Sequence, residues 1–303
     1  MIELSIIIPT YGRATKIKHA IQSAFIHSQS EVIVVDDNGQ GSAQQLKTES
    51  ILAELINSKK ITYLPLLKNV GGGVARNIGI RQAQGKYITF LDDDDVFIPG
   101  KLIEKLNYFK QQVHFEICCS HMQVEENGTY VLTNEDLFVG QHAKHFLLSG
   151  SCYTSMIMIK KSALEAIGGF CDTPYLQDHT LLLKAFLKNQ RVCVFPQRVF
   201  VHRINQGASI TSGIRPIAGV QLRCKLEKAL TAQVTLSAAE RNALHYRWDC
   251  IKHHNNVLEH GRNLAVFRFL IEKVIWRTRT RQQCYESLKL LAKFFINYQY
   301  YSK

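Results

Sequence analysis

The sequence lacks any uninterrupted apolar run of the roughly 20 residues that a membrane-spanning helix needs. Proline is scarce, at six residues, and the 18 glycines follow no triplet period, which excludes collagen-like and low-complexity chains. The eight cysteines never fall into a CxxC pair, so neither a disulfide scaffold nor a paired-cysteine zinc site is expected. Cys118, Cys119 and Cys193 sit in apolar stretches, and the expectation is reduced, mostly buried thiols. No internal repeat and no helix-turn-helix signature is present. Residues 1–9 carry Glu3 where a secretory signal wants lysine or arginine, and no cleavage site follows. The expectation is a chain that begins near Met1 and stays in the cytoplasm.

What is present is ample apolar material. Of 303 residues 46% are hydrophobic and 20% charged, enough for one large domain or two ordinary ones and too much for a mainly disordered chain. Charge is uneven. Residues 1–214 hold 21 Lys/Arg against 19 Asp/Glu, whereas residues 215–303 hold 16 against 6. The net charge of +12 is therefore mostly a property of the last third, which seeks an anionic partner: nucleic acid, anionic lipid or a phosphorylated substrate.

Short apolar runs at residues 4–8, 32–35, 61–64 and 86–91 read as strands buried on both faces. Helical spacing separates them: Ile17, Ala20, Ile21 and Ala24, then Leu46, Ile51, Leu52 and Leu55, then residues 74–83. This alternation predicts a parallel sheet with right-handed crossovers. Further helices are expected after Pro99 and over 176–187, and strands over 115–124, 152–159, 192–195 and 199–202. From about residue 215 the pattern is helical only, with Leu264, Phe267, Leu270, Ile271, Val274 and Ile275 at three- and four-residue spacing among arginines.

In parallel sheets ligands gather outside the carboxyl ends of the strands. Here those ends read Pro9-Thr10-Tyr11, Asp36-Asp37 and Asp92-Asp93-Asp94-Asp95. One cleft lined by Tyr11, Asp37 and the four aspartates is expected. Four adjacent carboxylates repel unless a cation neutralises them, and oxygen-only ligands favour Mg2+ or Mn2+. The alternative is a solvated acidic turn, supported by Pro99-Gly100 just beyond.

The order Pro9-Thr10-Tyr11-Gly12-Arg13, Val35-Asp36-Asp37, Asn69-Val70-Gly71, Ala75-Arg76-Asn77-Ile78-Gly79 and Gly85 to Asp95 resembles glycosyltransferase family 2, which has the GT-A fold. A looser match runs through Gly168-Gly169-Phe170 and Gln177-Asp178 to about residue 211. The fold this implies is α/β: a GT-A, Rossmann-like, mostly parallel sheet flanked by helices over 1–214, then a basic helical region over 215–303 for acceptor or membrane-surface association.

The resemblance implies an inverting, metal-dependent transferase that moves a hexose or N-acetylhexosamine from a UDP-sugar. By position Pro9 and Tyr11 flank the base, Asp37 accepts a hydrogen bond from it, and Arg13 and Arg76 lie near the nucleotide. Asp93 faces the ribose or sugar, Asp94 and Asp92 hold Mn2+ or Mg2+, and Asp178 is the general base. The family often has Glu-Asp where this chain has Gln177-Asp178, leaving Asp178 the sole local carboxylate. A histidine common in the family is replaced by Asn205, with His202 as a substitute metal ligand. The extra Asp95 resembles a variant among bacterial O-antigen transferases. The implied acceptor is a lipid-linked or other glycan in surface polysaccharide synthesis, reached from the inner face of the membrane.

Other features have ordinary readings. Gly71-Gly72-Gly73 lacks the Lys-Ser/Thr of a phosphate-binding P-loop and reads as a flexible turn. Arg76 also suits a simple pairing with one aspartate, and Asp178 a helix cap. Asn127-Gly128-Thr129 matches a glycosylation acceptor, unused in a cytosolic chain. The Arg/Lys-rich stretch 262–281 reads as an ordinary solvated face, while its apolar stripe with Trp276, Phe294, Phe295, Tyr298, Tyr300 and Tyr301 also suits a membrane interface or a dimer contact. Competing functions are a non-catalytic sugar-nucleotide scaffold, a nucleotidyltransferase, and a basic nucleic-acid-binding protein; no nucleic-acid partner is expected.

Overall fold

A computed structural model describes residues 2–26, 29–131, 137–204 and 217–295. The chain forms two compact units, residues 1–207 and 208–303. The boundary expected near residue 214, together with Asn205 and the tail tyrosines Tyr298, Tyr300 and Tyr301, lies outside the described residues.

The first unit opens with β1 (Leu4–Thr10), α1 (Ile17–Ala24), β2 (Ser30–Asp36), α2 (Ala43–Asn57), β3 (Thr62–Pro65), α3 (Gly72–Gln82) and β4 (Tyr87–Phe90). It continues with β5 (Val96–Phe97), α4 (Lys101–Gln111), β6 (Ile117–Glu126), β7 (Thr129–Val131), α5 (Ala143–Ser149), β8 (Ile157–Lys160), α6 (Lys161–Ala166), α7 (Gln177–Leu187) and β9 (Val192–Ile204). The sheet order is β3-β2-β1-β4-β8-β6-β9-β5, with β7 beside β6.

The parallel expectation holds across β3-β2-β1-β4. Beyond β4 the sheet is mixed, because β8 runs antiparallel to both β4 and β6 while β6 and β9 are parallel. Ile6, Ile7, Ile8, Val32, Ile33, Val34, Val35, Ile88 and Phe90 are all buried, which explains why these strands read as continuous apolar runs. Burying each such side chain contributes about 1.5–3 kcal/mol. Gly79 lets α3 close on the sheet: a Cβ there would meet Ile7 Cγ2 at 2.6 Å.

Two local expectations are corrected. Residues 154–156 form a 3-10 turn before β8 instead of extending the strand, as Met156 N–H bonds back to Tyr153 O. The two extended pieces at 192–195 and 199–202 are one strand, whose register against β6 shifts around Ser120 to Met122. Asn127-Gly128 is the tight turn of the β6–β7 hairpin, both residues at positive φ.

The second unit is helical where described: α8 (Ile217–Thr231), α9 (Ala238–His260), α10 (Leu264–Phe269), which continues through a π turn and a 3-10 turn to Arg277, and α11 (Arg281–Phe295). Ser237 and Glu240 form a capping box at the start of α9 and Gly261 closes it. Tyr246, Val257, Val266, Leu270, Val274 and Phe294 make its core. No described helix is long and apolar enough to cross a membrane.

Candidate active site

Chain order 3-2-1-4 makes β1 and β4 neighbours from which successive connections lead in opposite directions, the kind of switch point beyond whose strand ends α/β sheets bind ligands. Thr10 ends β1 there, Asp36-Asp37 end β2, and Asp92 to Asp95 follow β4.

The four aspartates diverge to different partners. Asp92 Oδ1 accepts from Arg76 at 2.5 Å. Asp93 accepts from Thr10 Oγ1 at 2.6 Å and from Arg13 at 3.0 Å. The same Arg13 nitrogen lies 3.0 Å from Asp94 Oδ2. Asp95, fully buried, faces His202 Nδ1 at 3.1 Å and accepts the Arg203 N–H at 3.2 Å. Mutual repulsion is thus relieved by three cationic side chains.

Burial pushes the Asp93 carboxyl up to about 6 despite Thr10 and Arg13. Burial and the neighbouring Asp92 also raise Asp94, against the pull of Arg13. For His202 burial opposes the charged ring, but the bond to Asp95 and its charge outweigh it and raise the imidazole to about 9. An imidazolium is no metal ligand, so His202 joins a metal set only after losing that proton.

Asp37 is buried and anchors the turn after β3. Its oxygens accept from Val70 N–H at 2.7 Å, Gly71 N–H at 2.9 Å and Asn69 Nδ2 at 2.9 Å, three of about four acceptor sites. Burial raises its pKa and these amides lower it, the first prevailing. Pro9 is half-buried in β1, and Tyr11, 48% exposed, stands at the rim as an open ring. The Gly12 N–H bonds Asn38 Oδ1 at 2.7 Å and ties the loops after β1 and β2.

Arg76 on α3 is nearly buried and bridges two elements. One nitrogen holds Asp92 and the other donates to Gln177 Oε1 at 2.7 Å, with the guanidinium 5.7 Å from the centre of the Phe170 ring. Gln177 Nε2 donates to Thr173 O at 2.9 Å, which fixes the amide. Asn77 bonds both backbone groups of Phe170, and a Cβ on Gly73 would meet Cys171 O at 2.7 Å. α3 is therefore bound to the segment leading into α7. Leu176 precedes that helix at φ 60°, a left-handed conformation costing about 1–2 kcal/mol for a non-glycine residue.

That strained turn sets Asp178 in the first turn of α7, where its Oδ1 accepts the His179 N–H at 2.7 Å. Burial raises its carboxyl to about 6, with Asp92 adding to the rise and His179 N–H and Arg76 opposing it. A half-buried carboxylate poised near neutrality suits general-base work.

The donor set fits a hard divalent cation: oxygen ligands only, on a turn whose crowded, buried carboxylates are driven toward protonation. Among the described residues no group of three or more His, Cys, Asp or Glu side chains forms a protein-only cage. Magnesium sites completed by substrate phosphates use only one or two carboxylates.

Sequence reasoning passed over Thr10, Asn69, Asn77 and Gln177, all polar residues inside or beside motifs it singled out. It also missed Lys105, which sits on the apolar face of α4 and is wholly buried. Lys105 Nζ donates to Ser120 Oγ at 3.0 Å and Met156 O at 2.7 Å, holding the 3-10 turn whose Ser155 hydroxyl accepts the Asp92 N–H at 3.3 Å. Burial pushes its pKa down. No sequence signal distinguishes it from a solvated helix lysine.

Similar proteins agree with this architecture. A Rickettsia conorii protein named as an uncharacterized glycosyltransferase is 31% identical over 169 residues, covering 55% of this chain and 26% of the relative. One from Haemophilus influenzae is 30% identical over 187 residues, 60% of this chain and 61% of the relative. The chain thus spans about a quarter of the first relative's length and under two thirds of the second's. S. aureus TarS 1-349, solved in complex with UDP-GlcNAc, superposes with a TM-score of 0.63 at 19% identity, covering 97% of this chain and 82% of that one. The mannosyltransferase PcManGT from Pyrobaculum calidifontis, solved with GDP-Man and Mn2+, gives 0.56 at 16% identity over 96% and 85%. These likenesses show a shared GT-A fold. Residues 5–168, more than half the sequence, match the model of glycosyl transferase family 2, and the chain belongs to that family.

Proposed function

We propose that the protein transfers a hexose or N-acetylhexosamine from a UDP-sugar to a glycan acceptor, with inversion, so that an α-linked donor gives a β-linkage. The observation that carries this reading is Asp178, raised to about 6 and joined through Gln177 and Arg76 to the acidic turn at Asp92. Asp178 accepts the proton of the acceptor hydroxyl as that oxygen attacks the anomeric carbon from the face opposite the diphosphate. Tyr11 stacks on the uracil and Asp37 receives a base N–H through its remaining acceptor site. Asp93, already bound by Thr10 and Arg13, lies toward the ribose or sugar, and Arg13 offers charge to the nucleotide. Asp94 and Asp92 would hold Mn2+ or Mg2+. When bound, the ion stabilises the departing diphosphate. His202, 3.1 Å from Asp95, would join Asp94 and Asp92 at the ion on giving up its ring proton.

The acceptor we propose is lipid-linked, in bacterial surface polysaccharide such as O-antigen, with the enzyme peripheral on the cytoplasmic face of the membrane. The basic charge of residues 215–303 supports this placement. Calorimetric titration of UDP with and without Mn2+ tests the donor and metal assignments. Metal-dependent binding that Asp94→Ala weakens at least ~100-fold is expected. Absence of binding by any nucleoside diphosphate in the presence of metal sinks the transferase reading, whereas binding of GDP alone removes only the uridine assignment.

A further inference from the structure

A cavity of about 310 Å3 lies in the helical unit, lined by Lys228 and Thr231 of α8 and by Arg241, Leu244, His245 and Trp248 of α9. We propose that it is a binding site for a phosphate ester carried on a sugar-sized group. Its volume is at the lower end for small-molecule sites, the size of one sugar phosphate.

Charge selects an anion. Lys228 and Arg241 are exposed and form no ion pair among the described residues. Asp249, the one acid on the lining, lies 3.3 Å from Arg277 and is neutralised there. The wall is also built. Trp248 is 7% exposed and donates its indole N–H to Glu227 at 2.6 Å. Glu227 is wholly buried and accepts from Arg223 at 2.8 Å and Arg247 at 3.0 Å. Burying a carboxylate under three donors is costly, and its effect here is to fix the indole plane. Lys228 Nζ stands 5.4 Å from the indole centroid, and the His245 ring meets the indole edge-on at 5.2 Å. A rigid indole edge beside two cations that no carboxylate pairs among the described residues, Lys228 against the ring and Arg241 donating to Leu236 O at 2.8 Å, suits a ligand with an apolar C–H face and an anionic head. The phosphate can belong to a free or glycan-borne sugar phosphate or to a lipid headgroup.

Trp248 and Trp276 are the two tryptophans, so Trp276→Phe leaves Trp248 as a single local reporter. This makes the readout independent of the transferase reading: a failure of UDP binding leaves it intact. The full-length Trp276→Phe protein is titrated with glucose 1-phosphate, with glucose, and with phosphatidylglycerol vesicles in a phosphatidylcholine background. A saturable change in Trp248 emission is expected with glucose 1-phosphate or with the anionic vesicles, and none with glucose. The arm that responds identifies the phosphate source. Lys228→Gln with Arg241→Gln should weaken that response at least ~10-fold, each single variant being read as well, with circular dichroism reporting the fold. No saturable change in either arm, an equal response to glucose, or an unchanged midpoint in the folded variants overturns the proposal.

Discussion

At the residue scale, Asp178 and His253 make opposite statements about pH. The folded protein raises the Asp178 carboxyl from its ordinary 3.8 to about 6, so the native state holds that proton more tightly than the unfolded chain. Its stability contribution is fully present below about pH 4 and is lost as pH rises through about 6. Asp178→Asn should therefore abolish transfer by ~10²–10⁴-fold yet stabilise the protein by about 1–3 kcal/mol at pH 7.5, discounted for partial exposure. Melting curves between pH 4 and pH 8 should show the gap over the native protein opening with pH; a constant gap refutes the assignment. His253 behaves in reverse. It is wholly buried in the helical unit, and neither ring nitrogen has a hydrogen-bond partner among the described residues. Burial, with His254 adding to the effect, lowers its pKa to about 4. The unfolded chain takes up a proton below about 6.5 that the folded unit refuses, so stability is present above that pH and falls away toward pH 4. The expected loss is of order 2–3 kcal/mol, read as a drop in Trp248-monitored stability between pH 7 and pH 4.5. His253→Leu should flatten that dependence.

At the element scale, α3 and α7 act as a pair, and their joint is Arg76 with Gln177. Gln177 is neutral where the family often has glutamate. Gln177→Glu places a second carboxylate beside Asp178 and draws Arg76 from Asp92. The acid limb of the pH–rate profile should then move upward by about 1 unit with little change in the UDP dissociation constant. A profile that stays put means Arg76 does not couple the two helices. How far this was legible in the sequence follows from the kind of signal each feature leaves. The strands β1, β2 and β4 are buried on both faces, and such runs are visible without partners. Their polar ends meet, Thr10 and Arg13 at Asp93 and Gly12 at Asn38, because a parallel sheet gathers those ends on one side. The mixed half was not legible: the direction of β8 depends on long-range pairing with β4 and β6, which leaves no local trace. Nor could spacing show that Asp93 is spent on Thr10 and Arg13, or that Asp95 holds His202, since 80 and 107 residues separate Asp93 from Arg13 and Asp95 from His202.

At the scale of the whole molecule, the stretch that carries most of the positive charge also exposes four large apolar side chains. Most of the +12 belongs to residues 215–303, and there Leu264 is 81% exposed, Trp276 75%, Tyr285 59% and Leu288 56%. A protein that met only water would gain nothing from exposing these side chains, whereas an anionic bilayer offers headgroups for the cations and an interface for the rings. The two contributions respond differently to salt. Coulomb attraction between exposed charges is screened over about 10 Å at 0.1 M and about 3 Å at 1 M, while apolar burial is not weakened by screening. Cosedimentation with phosphatidylglycerol vesicles should therefore fall steeply between 0.05 and 0.5 M NaCl and stay negligible with phosphatidylcholine alone. Leu264→Ala with Trp276→Ala should lower binding at every salt concentration without altering the slope, because it removes area and no charge. Equal binding to neutral vesicles, or a salt-independent isotherm, would leave the basic helices to another anion and remove the membrane from the function proposed for the chain.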